Sequence, residues 1–404
     1  VNDEQLLRDR LNEVVVPPMG SILDRAVADG ERRVRRRRTV TASAAAVVSL
    51  GLLVGVPTLL PGDRDPGGAS PVNRDIPVAA APSTAPAGLT CRTAGALEKP
   101  KNAEDVVVAA TDPTGRYAVG NGSKGQDFVP FLWTDGKPER VPYPEASGEM
   151  IDVNSAGVAV GRGSDGGSGP DTFFRYADRK IVELRMPAGE WTTHGWPQIN
   201  TAGDVLATIQ PQGSSEGRGA YIVLWPAGSV EPRKLPLPSN ATSDIVSDNG
   251  IVAGVLRNRE GREGYDTEDM QSLPEGTAED GTLAYVWDLA GKGRRLETPA
   301  GWSSAGYGIS SDGAWVTGGL WNDAPGDPRS PETGLWNVGT GKLVAKIAIS
   351  DIGSAVSTAG QVLTQAGGVY GTDGERIAVD GDTLIRGMTD TNRFIDEKLR
   401  IWQC

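Results

Sequence analysis

A four-residue segment recurs six times along this chain, and nothing else constrains its fold as tightly. The copies are Asp112-Pro-Thr-Gly115, Asn154-Ser-Ala-Gly157, Asn200-Thr-Ala-Gly203, Ser247-Asp-Asn-Gly250, Ser310-Ser-Asp-Gly313 and Ser357-Thr-Ala-Gly360. Each sits between two apolar runs. Asn, Asp and Ser bond the backbone of a turn, and Gly supplies a positive φ, so each copy reads as a hairpin turn. Successive glycines are 42, 46, 47, 63 and 47 residues apart. A repeat of roughly 40–50 residues is the period of a four-stranded propeller blade.

The second copy shows the unit. Glu149-Met-Ile-Asp-Val153 leads into the turn, and Val158-Ala-Val-Gly161 leaves it. Thr172-Phe-Phe-Arg-Tyr176 and Ile181-Val-Glu-Leu184 complete four antiparallel strands. Corresponding third strands fall at 131–133, 221–225, 283–287, 333–336 and 368–370, most of them ending on Trp. Six units end near residue 379. The remainder, 383–404, holds three strands, and a fourth is available at 89–97. The spacing therefore predicts an all-β, seven-bladed β-propeller over 89–404, its last blade shared between both ends. Six or eight blades are the alternatives. In the shared blade Cys91 and Cys404, the only cysteines, become neighbours, and a disulfide between them would close the ring. The repeat resembles the extracellular repeat called HAF, with its Ile-Asn-x-x-Gly-x-Val core and a later Phe-Leu-Trp, here Phe131-Leu-Trp133. That resemblance spans about 105–375 and implies the propeller fold.

Charge divides the chain. Net charge is −12 overall, yet residues 1–38 carry nine Arg against seven acidic residues. Arg32, Arg33, Arg35, Arg36, Arg37 and Arg38 are followed by 22 uncharged residues, 39–60. At about 1.5 Å per residue a helix of that length reaches roughly 33 Å, enough for a hydrocarbon core. An Arg cluster stays cytoplasmic, so the expected topology is a single-pass membrane protein with its amino terminus inside and its propeller extracellular. A cleaved signal ending near 79–81 and a twin-arginine signal are the alternatives. Residues 61–88 contain six Pro among Ala, Gly and Ser, the composition of a linker.

Two short helices are predicted within the cytosolic segment 1–38, separated by Pro17-Pro18. The pattern Asp-Glu-Gln-Leu-Leu-Arg, then Ile-Leu-Asp-Arg-Ala, then Arg-Arg before an Ala/Val/Leu helix resembles actinobacterial single-pass membrane proteins. Those are often encoded beside extracytoplasmic-function sigma factors. The resemblance implies a cytosolic regulatory partner such as a sigma factor. A short topogenic tail without a partner is the other reading.

Composition excludes several functions. The acidic body argues against nucleic-acid binding. One His and two Cys leave no set of metal ligands, and no cofactor motif or catalytic constellation is present. Loops opposite the turns instead collect Trp191, His194, Trp196, Trp302 and Trp321, which form the candidate ligand face for a peptide or glycan. Packing between blades is the competing role for each Trp. Asn121-Gly-Ser123 and Asn240-Ala-Thr242 match glycosylation sequons. The expected function is extracellular binding or interaction, with a signalling role through the cytosolic segment. A glycan-active hydrolase or lyase is the alternative.

Overall fold

The computed structural model describes residues 89–404 apart from 102, 125–126, 145–146, 165–170, 215–216, 259–269, 275–276, 278–280, 323–329 and 380–382. The segments read as cytosolic, membrane-spanning and linker, 1–88, lie outside the described residues.

Seven antiparallel sheets follow one another around a ring. Blade 1 comprises Glu104–Thr111, Tyr117–Lys124, Asp127–Thr134 and Lys137–Arg140, and blade 2 Ser147–Val153, Ala159–Ser164, Thr172–Ala177 and Lys180–Leu184. In blade 3 the first strand is split into Trp191–Thr193 and Gln198–Ile199, followed by Val205–Pro211, Tyr221–Trp225 and Arg233–Lys234. Blade 4 holds Ala241–Val246, Val252–Arg257, Thr282–Trp287 and Gly293–Arg295, and blade 5 Trp302–Ile309, Trp315–Asn322, Glu332–Asn337 and Lys342–Ile347. Blade 6 is reduced to Gly353–Val356, Val362–Thr364 and Val369–Tyr370, with one further bridge from Tyr370 to Arg376.

Blade 7 is built from both ends of the propeller. Ile385–Met388, Arg393–Asp396 and Arg400–Gln403 come from the carboxyl end, and Arg92–Ala96 adds the outer strand. Arg92 pairs with Gln403, which sets Cys91 beside Cys404, and the disulfide forms between them. The chain is a seven-bladed propeller closed by its amino-terminal strand.

The core lies at the seams between blades. One buried apolar cluster spans each pair of neighbours, so seven clusters close the ring among the described residues. Alternation along each strand sends apolar residues to both faces, because each blade is covered on both sides. Trp133, Trp225, Trp287 and Trp336, at the ends of third strands, are completely buried there. At ~25 cal/mol per Å², the 150–250 Å² of a Trp contributes about 4–6 kcal/mol before chain entropy is counted. Three of these indoles also bridge the seam. Trp133, Trp225 and Trp336 donate Nε1–H to the carbonyls of Glu98, Arg185 and Glu297 on the preceding blade, at 2.9, 2.9 and 2.7 Å.

The recurring turn has one mechanism throughout. Its first residue is buried, and its side-chain oxygen accepts a main-chain N–H four or five residues on. Asn154 Oδ1 takes Val158, Ser247 Oγ takes Ile251, Ser310 Oγ takes Trp315 and Ser357 Oγ takes Gln361. A seventh copy is present in blade 7. Thr389 Oγ1 accepts from Arg393, and Asn392 replaces the glycine at φ 58°. The sequence hid it because Thr and Asn stand where Ser or Asn and Gly stand elsewhere.

Candidate functional site

The first strand of each blade lines the axis, and in blades 1, 2, 4, 5, 6 and 7 it carries a β-bulge close before its turn. The unpaired residues are Ala109, Ile151, Tyr307, Ser354 and Arg386, each three positions ahead of the turn's capping residue, with Ser243-Asp244 at the bulge of blade 4. Blade 3 reaches a similar result by leaving 194–197 off the ladder. A bulge re-aims side chains away from the regular pleat, here toward the lumen.

Second-strand glycines make room for the bulges. A Cβ on Gly120, Gly161, Gly254 or Gly318 would lie within 2.3 Å of the carbonyl oxygen of Val107, Glu149, Thr242 or Ala305. The backbone approaches so closely that only glycine fits.

The result is an axial cavity of about 230 Å³ lined by residues of all seven blades. It adjoins the capped turns, where three aspartates bind neighbouring blades together. Asp152 Oδ2 accepts the Ile199 N–H at 2.9 Å, and Asp248 Oδ1 accepts the Thr201 N–H at 2.6 Å. Asp390 spans three blades, accepting from Ser311 Oγ and, at 2.7 Å, from the Thr358 N–H. Burial pushes the Asp152 carboxyl up to about 7, against the pull of the Ile199 and Val153 amides, and the Asp248 charge adds to the rise. Burial also raises Asp390, opposed by its bonds to Ser311 and Thr358.

Arg386 and Tyr307 differ from these aspartates. Both line the cavity, yet neither side chain has a hydrogen bond or ion pair with another described residue. Tyr307 keeps 40% of its surface open and meets the Trp321 ring edge-on at 6.4 Å.

The aromatic residues singled out from sequence are distributed rather than gathered into one pocket. Trp191 begins the split strand of blade 3, half-buried against Tyr221 at 4.7 Å, and its indole donates to the Ala188 carbonyl. Trp302 begins the first strand of blade 5, packed on the seam with blade 4 and capped by the Lys346 ammonium at 4.3 Å. Trp321 ends the neighbouring strand. Ser303 pairs with Trp321 and Trp302 with Asn322, so the two indoles lie on opposite faces of their blade. His194 and Trp196 occupy the excursion in blade 3. Trp196 is 45% exposed and stacks under the Arg162 guanidinium at 3.9 Å, with Arg162 paired to Glu149.

Both sequon asparagines serve the fold. Asn121 makes a two-point bond to the Met150 backbone, and Asn240 is buried against Arg257 and Gln271. Among the described residues no group of three or more His, Cys, Asp or Glu is placed to hold a metal ion.

Asp152, Tyr307 and Arg386 escaped the sequence reading. The signal was their place in the repeat, because superposing the copies on their capping residues puts Tyr307 and Arg386 in one column with Ala109 and Ile151. A column that varies within a fixed repeat marks positions that the fold leaves open.

No family model matches the chain, and no curated protein is similar to it. Solved structures are similar to it at low identity. Oligogalacturonate lyase from Vibrio parahaemolyticus is 10% identical with a TM-score of 0.47, over 78% of this chain and 96% of that one. The β-propeller domain of the Trilobed protease from Pyrococcus furiosus is 10% identical with a TM-score of 0.46, over 74% and 94%. TolB from Acinetobacter baumannii is 12% identical with a TM-score of 0.36, over 68% of this chain, which spans 53% of that TolB. At such identities the likenesses say nothing about chemistry.

Proposed function

We propose that this propeller is an extracellular binding module, tethered by the apolar segment 39–60 and carrying its ligand in the axial cavity. One observation carries the reading. Bulges in six blades and the split strand of the seventh turn side chains into a shared polar cavity of about 230 Å³, and two of those side chains, Arg386 and Tyr307, make no hydrogen bond or ion pair among the described residues. Loops and bulges on a rigid scaffold are where binding groups concentrate. The extracellular placement rests on the Arg-flanked span and the Pro-rich linker, and the Cys91–Cys404 bridge suits an oxidising exterior. A cytosolic partner of the sigma-factor type for 1–38 follows from the amino-terminal resemblance alone.

Hydrogen exchange of the full chain, with and without a ligand found by thermal-shift screening of small metabolites and oligosaccharides, tests the site. Protection is expected at 109–113, 151–155 and 386–390. Protection confined to the loops around Trp196, Trp302 and Trp321 would move the site to the other candidate face.

A second reading has one observation in its favour. The Asp152 carboxyl, at about 7, can hold or give a proton near neutral pH, as a glycan-active hydrolase or lyase requires. Turnover of a polysaccharide panel that disappears in Asp152→Asn, with the fold intact, would support it.

A further inference from the structure

Four third strands end on a buried Trp, and one of these indoles differs from the rest. Trp133, Trp225 and Trp336 donate to the residue that follows Leu97, Leu184 and Leu296 in the preceding blade, namely Glu98, Arg185 and Glu297. Those three residues give their own N–H to Gly136, Val230 and Gly341 in the turn of the Trp-bearing blade, which holds each carbonyl at its indole. The residue after the matching Leu235 is Pro236, which has no N–H to give. Its carbonyl approaches Gly291 instead, where an added Cβ would lie 2.1 Å away. Trp287 is completely buried, and its Nε1–H has no acceptor among the described residues. A buried indole N–H ordinarily finds a partner.

That donor borders a pocket of about 480 Å³ on the side of blade 4 that packs against blade 3. Gly293 lines the pocket, and a Cβ there would lie 2.5 Å from the Tyr285 ring and 2.7 Å from Trp287 Nε1. Both aromatic groups, stacked with centroids 4.9 Å apart, therefore meet at this wall. Arg295 also lines the pocket, directly opposite Tyr285 in the ladder and on the same face. It makes no hydrogen bond or ion pair among the described residues. Gln271 Nε2 donates to the Tyr285 oxygen at 2.6 Å, which leaves the phenol proton free to donate. The Asn240 side chain fixes Gln271 in turn, bonding its N–H and its carbonyl at 3.1 and 3.0 Å. Leu256, Leu273, Pro274 and Leu283 are the apolar walls. The described lining holds two arginines and no carboxylate, and the second arginine, Arg294, bonds the Val338 and Gly339 carbonyls of blade 5.

We propose that this pocket binds a small organic acid, its carboxylate at Trp287, Tyr285 and Arg295 and its apolar body against the leucines. The site shares no lining residue with the axial cavity and goes beyond the reading given for it. A carboxylate offers about four lone-pair sites, enough for an indole, a phenol and a guanidinium together. The volume of about 480 Å³ lies within the ~300–1,000 Å³ of small-molecule sites.

Isothermal titration of the full chain with benzoate, phenylacetate and hydrocinnamate, each beside its primary amide, tests this. At least one acid is expected to bind, and its amide about ten- to a hundredfold more weakly, the loss of one charged hydrogen-bonded contact. Arg295→Gln should bind acid and amide alike. Arg386→Gln, in the axial cavity, should keep the wild-type preference. In nitrogen-labelled protein the Trp287 indole N–H signal, identified by its loss in Trp287→Phe, should move when the acid is added. Thermal unfolding run beside each titration establishes that the variants are folded. Acid and amide binding alike, a preference that survives in Arg295→Gln, an unmoved Trp287 signal at saturation, or no binding by any of the three acids would overturn the proposal. A preference lost only in Arg386→Gln would overturn it too, while placing the acid in the axial cavity and leaving the binding module standing.

Discussion

The Ile199 amide donates to the Asp152 carboxylate at 2.9 Å, joining the first strands of blades 2 and 3 through a group that titrates near neutrality. The seam and the cavity wall therefore share one carboxyl. Between 3.8 and about 7 the folded chain holds a proton at Asp152 that the unfolded chain has released. Stability consequently falls as pH rises through that window and levels off above it. Asp390, also raised, adds to the same slope. The full effect at Asp152 has an upper bound of about 4 kcal/mol. Urea unfolding at pH 5 and pH 8 should show wild type losing more stability than Asp152→Asn across the interval. Parallel losses would mean that Asp152 ionises normally in the fold.

The bulges depend on missing side chains. At Gly161 a Cβ would meet the Glu149 carbonyl and the Phe174 ring, both part of the packed blade. Gly161→Ala is expected to cost about 1–3 kcal/mol, as overpacking does. Gly213→Ala is not a fair control, since its φ of 80° strains any side chain. Ala202→Ser, on an exposed turn, is one, and should change the unfolding midpoint little.

The outer strand of blade 7 has little of its own to hold it. All five residues of Arg92–Ala96 are exposed, and they are fixed by one ladder, by Leu97 in the seam with blade 1 and by the disulfide. The bridge spans 313 residues, for which chain entropy gives about 5–6 kcal/mol as an upper figure. Cys91→Ser with Cys404→Ser should lower the unfolding midpoint and speed amide exchange first at 92–96 and 400–403. Uniform acceleration over all blades would indicate that the ring opens elsewhere.

The topology has its own check. External protease applied to intact cells should cut within 61–88 and release a folded propeller that retains its disulfide. Retention of the propeller until the membrane is permeabilised would place it inside.

Much of this fold was legible because a turn of fixed chemistry repeats. The Asn-x-x-Gly segments revealed hairpins, their period revealed blades, and a three-strand remainder with a Cys at each end revealed the closure. The seventh turn was not legible, because Thr389 and Asn392 perform the same capping with different residues. The site was less legible than the fold. A bulge is a register shift between two strands, so nothing local to Tyr307 or Arg386 announces it. The facing glycines, Gly161 and Gly318 among them, were visible in the sequence, but only the approach of a carbonyl explains them. The Trp residues stayed open between ligand contact and packing because sequence cannot tell an indole in a loop from one at a seam, where Trp302 lies.

Whether the axial cavity is the binding site can be decided by filling it. Ala109 is exposed on the lumen wall at the bulge of blade 1, and Ala109→Trp introduces an indole there without displacing a buried group. Ligand-induced thermal stabilisation should vanish in Ala109→Trp and survive in Trp196→Ala, while both unliganded variants unfold near the wild-type temperature. Stabilisation that persists with the cavity filled and disappears in Trp196→Ala would contradict the account.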